Sequence, residues 1–246
     1  PCFEAFACKS GHHYRTVVLM DVVPLRFGEE DDINKSARDV LMEIGKAKGQ
    51  TEAGVIASVL AALGVDDRRA ACVMLGDFGE AALPHLGAIA DLLADSDGGV
   101  RVAACEALGK HGEAAGPHLA AVAKCLSDDD GDVRRAACEA LGKHGEARGQ
   151  TVAAIVATVL KSSNSDARKM ACQLLGNLGE AAVPHLKAVA GLLSDDDSRV
   201  RAAACEALGK HGEAAAPHLG AVAERLADSL YLVRAAACAA LGKHGE

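Results

Sequence analysis

The ten residues Val133-Arg134-Arg135-Ala136-Ala137-Cys138-Glu139-Ala140-Leu141-Gly142 decide the fold. Val133, Ala136, Ala137, Ala140 and Leu141 return every three to four positions, the period of one face of an α-helix. Upstream, Ser127-Asp128-Asp129-Asp130-Gly131-Asp132 reads as an acidic turn, with Asp132 placed to cap that helix and to meet the positive end of its dipole. Downstream, Gly145 is expected to end it as a C-cap. An earlier helix is expected to begin at Pro117-His118-Leu119, because proline suits a first turn whose N–H would be unpaired anyway. Leu119, Val122, Ala123 and Leu126 follow it at helical spacing, so the stretch is the second half of a helical hairpin.

The hairpin recurs. Gly45, Gly79, Gly112, Gly145, Gly179, Gly212 and Gly245 are separated by 34, 33, 33, 34, 33 and 33 residues, and Cys72, Cys105, Cys138, Cys172, Cys205 and Cys238 keep step. The order 34, 33, 33 occurs twice, and Gly49-Gln50-Thr51 returns as Gly149-Gln150-Thr151, as in a three-repeat block that was duplicated. A fixed period of this length marks a repeat array, in which no single hairpin buries its own apolar face and neighbours bury it together. Tetratricopeptide repeats need aromatic positions that are absent, and ankyrin repeats need a longer hairpin than the Gly-Glu-Ala-Ala connection allows.

The acidic turn, the Val-Arg start and the Ala-Leu-Gly finish together resemble the second helix of HEAT-like repeats, notably the short variety of phycobilisome lyases, over roughly residues 33–246. The resemblance implies an all-α fold, an α-solenoid of stacked antiparallel hairpins, with six full repeats after an initial half-repeat (residues 36–44). Residues 1–35 do not repeat and read as a cap and acidic linker, leaving 36–246 as the solenoid. A fully buried Leu contributes about 1.5–3 kcal/mol, so Leu108, Leu141, Leu175 and Leu208 should be among the costliest to truncate.

Composition narrows the function. Half of the 246 residues are apolar but only 2% are aromatic, so Ala, Leu, Val and Gly do the packing. A net charge of -8 without a basic block gives no counterion-release term on nucleic acid, and the stacking platforms for single strands are missing. No apolar run approaches the roughly 20 residues of a membrane span, although docking on a membrane complex stays compatible with the sequence. Beginning at Pro1, the chain reads as a processed or partial product, and its last repeat has no evident end cap.

The chemistry-bearing residues read mostly as structural. His111, His144, His211 and His244 share a repeat position with Ile44, Phe78 and Leu178, which marks a packing site. His85, His118, His185 and His218 follow proline at helix starts, where capping or turn bonding is expected. Equivalent cysteines in neighbouring repeats sit too far apart to pair, and a reducing intracellular compartment, cytoplasmic or organellar (a plastid included), follows. Cys2, Cys8, His12 and His13 match no zinc module. Deoxyhypusine hydroxylase also resembles this array, but the His-Glu pairs that would bind its di-iron are replaced here by Arg135-Ala136 and Ala202-Ala203. No catalytic, cofactor or metal residue is assigned, and the chain is read as a non-enzyme.

What remains is a surface. By the resemblance, second helices line the concave face, with Arg69, Val102, Arg135, Lys169, Ala202 and Ala235 in one row and Val73, Glu106, Glu139, Gln173, Glu206 and Ala239 in the next. A third row holds Asp77, Lys110, Lys143, Asn177, Lys210 and Lys243, giving Glu139–Lys143 and Glu206–Lys210 as i,i+4 pairs. The last turn, Asp228-Ser229-Leu230-Tyr231-Leu232, is apolar where its counterpart is Asp195-Asp196-Asp197-Ser198-Arg199. Leu230, Tyr231, Leu232, Ala235, Ala239, Arg135, Glu139, Lys143, Lys169 and Gln173 are therefore the candidate partner-binding residues. The partners expected are other protein subunits, with the chain as a scaffold or accessory subunit. The alternative is an enzyme subunit or chaperone of the bilin-lyase type acting on a tetrapyrrole-protein substrate.

Overall fold

A computed structural model describes residues 52–60 and 64–243. Residues 1–35, the half-repeat 36–44 and His244 lie outside the described residues. The described residues contain α-helices and short 3₁₀ segments and no strand, the all-α solenoid expected from the period.

The chain divides between Ala107 and Leu108 into two compact units. In the first, α1 (Glu52–Val59), α2 (Val65–Asp77), α3 (Leu86–Asp91) and the start of α4 (Gly98–Lys110) enclose Cys72, Leu75, Ile89, Val100 and Cys105, all fully buried. The second holds α5 (Leu119–Lys124), α6 (Gly131–Val159), α7 (Ser165–Asn177), α8 (Leu186–Gly191), α9 (Ser198–Leu208), α10 (Leu219–Glu224) and α11 (Tyr231–Gly242). Here α7 packs on α6, α9 on α7 and α11 on α9, while α5, α8 and α10 each pack on the second helix of their own hairpin. Leu108, Leu141, Leu175 and Leu208 are fully buried.

Small residues set the stacking distance. A Cβ on Gly109 would fall 3.1 Å from the Ala140 Cα, on Gly176 3.0 Å from the Ala207 Cα, and on Gly209 2.7 Å from the Ala240 Cα. Glycine at these three positions lets consecutive second helices touch backbone to backbone, whereas at Gly142 the nearest atom is Cδ2 of Leu174 at 4.0 Å.

Three details differ from the sequence reading. First, the pre-proline helix does not start at Pro-His-Leu. A 3₁₀ segment, Gly112–His118 in one repeat and Gly179–His185 in another, contains the proline, and the α-helix begins at the following leucine. His85, His118, His185 and His218 make no side-chain cap there. Second, Gly145 does not end its helix. Gly79, Gly112, Gly179 and Gly212 adopt φ of 49–55° and close theirs, but α6 runs through Gly145 to a kink at Arg148 (φ -134°, ψ 38°). Gln150 stands there where Pro84, Pro117, Pro184 and Pro217 stand in other repeats, and the Arg148 guanidinium lies against Gly116. Third, the cap of α6 is Asp130, whose carboxylate accepts from the Asp132 N–H at 2.8 Å; Asp132 sits in the first turn. Asn164 and Asp197 cap α7 and α9 in the same way.

Candidate interaction surface

The second helices carry an arginine at one position, four residues before each repeat cysteine: Arg68, Arg101, Arg134, Arg168, Arg201 and Arg234. Its flanks on the wheel are buried, as Val133 and Ala137 show, so the charge needs partners. Nη1 of Arg168 donates to the carbonyls of Ser162 and Ser163 at 2.9 and 3.1 Å, which folds the acidic turn back onto its own helix. Arg201 does the same with Asp195 and Asp196, and Arg134 with Asp128 and Asp129.

The other edge of the fork reaches the next hairpin. Arg168 holds Asp195 through Nε and Nη2 at 2.7 and 2.8 Å, and Arg201 holds Asp228 at 2.8 and 3.0 Å. In the first unit Arg68 grips Asp95 at 2.8 and 2.9 Å. These are planar, bidentate pairs, and the paired carboxylates are 6–8% exposed. The hydrogen bond from Arg68 holds the Asp95 carboxyl below the usual carboxylate range, against its burial, and Arg201 does so for Asp228. Where the duplicated block joins, Ser162 stands at the aspartate position, and Arg134 turns to Asp166 at 3.1 Å instead. The sequence reading took the acidic residues as caps and missed these ties. Their signal was an arginine at one step of every repeat on an otherwise apolar flank.

Buried His144 and half-buried His211 tie repeats as well as pack. His144 Nε2 lies 3.1 Å from the Leu108 carbonyl oxygen, and His211 Nε2 3.0 Å from that of Leu175. Burial depresses both pKa values, which favours the neutral rings. Burial likewise pushes the Cys72 and Cys172 thiols up to about 12, so they behave as small apolar side chains. None of the seven cysteines among the described residues is in a disulfide.

With these groups spent on structure, the rows on the second helices are what faces outward. Glu139, Lys143, Gln173, Glu206, Lys210 and Ala239 are exposed; Arg135 is 67% exposed and Lys169 32%. Ala235 is half-buried, and Ala202 is buried, which removes it from its row. The i,i+4 pairs do not form in unit two: Lys210 donates to Asn177 on the preceding repeat at 2.8 Å, and Arg135 and Lys169 turn to Asp132 and Asp166. In the first unit, Arg69, Val73, Met74, Val102, Ala103 and Glu106 line a cleft of about 400 Å³ between α2 and α4. Leu230, Tyr231 and Leu232 are 48, 77 and 51% exposed.

A family model described as HEAT repeats matches residues 88–161, 119–191 and 152–242. The chain belongs to the HEAT-repeat family. None of the curated proteins compared with it matches in sequence. Among solved structures, the HEAT array overlays a TOG domain from work titled "TOG-tubulin binding specificity promotes microtubule dynamics and mitotic spindle formation" with TM-score 0.55 and 16% identity, covering 87% of this chain and 92% of that one. It overlays a TOG domain of crescerin with TM-score 0.52 and 22% identity, covering 75% and 88%. Human deoxyhypusine hydroxylase overlays at TM-score 0.40 and 21% identity, covering 95% and 99%. At these identities the likeness is one of fold. HEAT-type repeat proteins typically bind other proteins, and no described helix of this one is long and apolar enough to cross a membrane.

Proposed function

We propose that this HEAT array is a protein–protein interaction scaffold, an accessory subunit that holds other protein subunits along its second helices. The observation that supports it is the division of labour among polar groups. The arginines, turn aspartates and histidines are consumed in tying hairpins together, while Glu139, Lys143, Gln173, Glu206 and Lys210 form exposed rows on consecutive helices. A rigid backbone carrying adaptable charged side chains suits recognition of a partner with complementary charge. The free, buried thiols support residence in a reducing compartment.

The test is affinity purification from the native source with wild type and with Glu139→Lys/Lys143→Glu/Lys169→Glu. A defined set of subunits retained by the wild type and lost by the folded variant supports the reading. The same set retained by both overturns it. Tetrapyrrole absorbance in the purified protein would instead favour the bilin-lyase-type chaperone.

A further inference from the structure

One seam of the second unit departs from the others on both of its faces. It lies where α5 meets the stretch of α6 beyond the Arg148 kink, and where the first half of α6 meets α7. On the second-helix side, Leu174 stands where Ala140, Ala207 and Ala240 stand in other repeats, and Gly142 meets only the tip of that leucine. On the first-helix side, Ser162 replaces the aspartate that Arg68, Arg168 and Arg201 grip elsewhere. Its Oγ bonds the Ser127 Oγ at 3.0 Å and accepts from the Asn164 N–H at 3.2 Å, so the turn stays closed while the seam loses a carboxylate.

A cleft of about 470 Å³ opens beside that hydroxyl pair, a size that suits a small molecule. Ala120, Ala123, Ile155 and Val159 give it an apolar lining. Lys124 and Lys161 line it as well; both are exposed, and no carboxylate lines it. Among the described residues neither ammonium has an ion-pair partner. Other repeats carry Asp91, Thr158, Gly191 or Glu224 at the first lysine position, and Ala94, Ser127, Ser194 or Ala227 at the second. Polarity is graded along the cleft. Lys124, Ser127, Lys161 and Ser162 sit at the C-terminal ends of the two helical stretches, with Ala120 and Ile155 a turn or more earlier. From Ala120 to Ser127 the lining covers about 10 Å at the helical rise.

We propose that this cleft binds a free aliphatic carboxylate, its head at the lysine and serine end and its tail along Ala120, Ala123 and Ile155. The head supplies the negative charge that Ser162 does not, between two ammonium groups whose apolar surroundings strengthen the attraction. An acidic protein segment fits less well. The cleft is only about two turns long, and on α8 and α10 Gly191 and Glu224 take the place of Lys124, so a longer acidic chain finds no second basic pair to follow. The inference goes beyond the scaffold reading, because the cleft lies on first helices and not on the second-helix rows.

The test is calorimetric titration of the full chain with sodium octanoate, hexanoate, octan-1-ol and octylammonium. Octanoate is expected to saturate one site, with each methylene beyond hexanoate tightening binding about two- to fourfold. The alcohol and the amine are expected to bind at least about tenfold more weakly. Lys124→Gln/Lys161→Gln should weaken octanoate about tenfold or more, and Ile155→Trp, which fills the cleft, should block it, with melting curves showing that each variant is folded. In the wild type, octanoate should slow acylation of Lys124 and Lys161 but not of Lys143, a readout that needs no variant. No saturation by about 10 mM octanoate overturns the proposal, as do equal binding of octylammonium and lysines left unprotected. Binding that the lysine variant leaves unchanged overturns it too, and is the result expected if the lysines serve only the helix ends. An amidated Leu-Asp-Leu-Asp peptide that binds more tightly than octanoate, and only with both lysines present, assigns the cleft to a protein segment and overturns it also. No scaffold partner enters these measurements, so their outcome stands apart from that of the co-purification.

Discussion

Asp195→Asn should unfasten one hairpin from the next. The carboxylate, 7% exposed, accepts from Arg168 at 2.7 and 2.8 Å and from the Asp197 N–H at 2.9 Å. Hydrogen bonds to charged groups contribute about 1.5–3 kcal/mol, and breaking a buried pair from one side costs about 3–5 kcal/mol. Arg168 is 15% exposed and keeps its two carbonyl partners, so a loss near the lower end, about 3 kcal/mol, is expected. For a chain of this size that lowers the midpoint by about 6–12 °C, read by far-ultraviolet circular dichroism. Acid provides a second readout. Burial opposes ionisation of Asp195, but Arg168 and the Asp197 amide outweigh it and hold the carboxyl below its ordinary value. The unfolded chain therefore takes the proton first as pH falls. The stabilisation is whole above about pH 3.9 and is lost as pH drops through the lower folded value, a loss the Asn variant should not share. A cost below about 0.5 kcal/mol, or the same cost in a background already carrying Arg168→Met, would refute the latch.

Leu175→Ala removes a fully buried side chain and should cost about 2–5 kcal/mol in urea unfolding; a cost under about 1 kcal/mol would mean that the stack closes over the cavity. His211 is depressed by burial first, with Lys210 adding to this and the Leu175 carbonyl opposing it. Its contribution is whole above about pH 6.5 and lost as pH falls through the lower folded value, so wild type should lose stability on acidification more steeply than His211→Gln; parallel curves would contradict this. With a thiol reagent in native buffer, Cys238 should react promptly and Cys172, its pKa pushed up to about 12, only on unfolding; a fast phase that survives Cys238→Ala undiminished would count against the assignment.

Much of the fold was legible because a repeat announces its own boundaries. The apolar step of Val133, Ala137 and Leu141 marks a helix face, and glycines at one phase mark where most helices stop. His144 is buried as its apolar-face position suggested and His211 half-buried, but their bonds to a carbonyl 36 positions back did not show in a pattern of side-chain types. The outward rows were legible from the wheel, except Ala202, which the neighbouring helix buries.

Sequence by itself determined that the chain is a row of helical hairpins, which side of each second helix is apolar, and which rows carry charge. Periodicity is local, so one strand of text suffices for it. Only the tertiary structure decided that α6 passes through Gly145, that Asp130 rather than Asp132 caps it, and that Arg168 spends its charge on Asp195. The cap turns on which of two neighbouring aspartates the local backbone aims at the helix start, and the Arg168–Asp195 tie on groups brought within 3 Å across repeats, a distance between separate hairpins that no one-dimensional spacing contains.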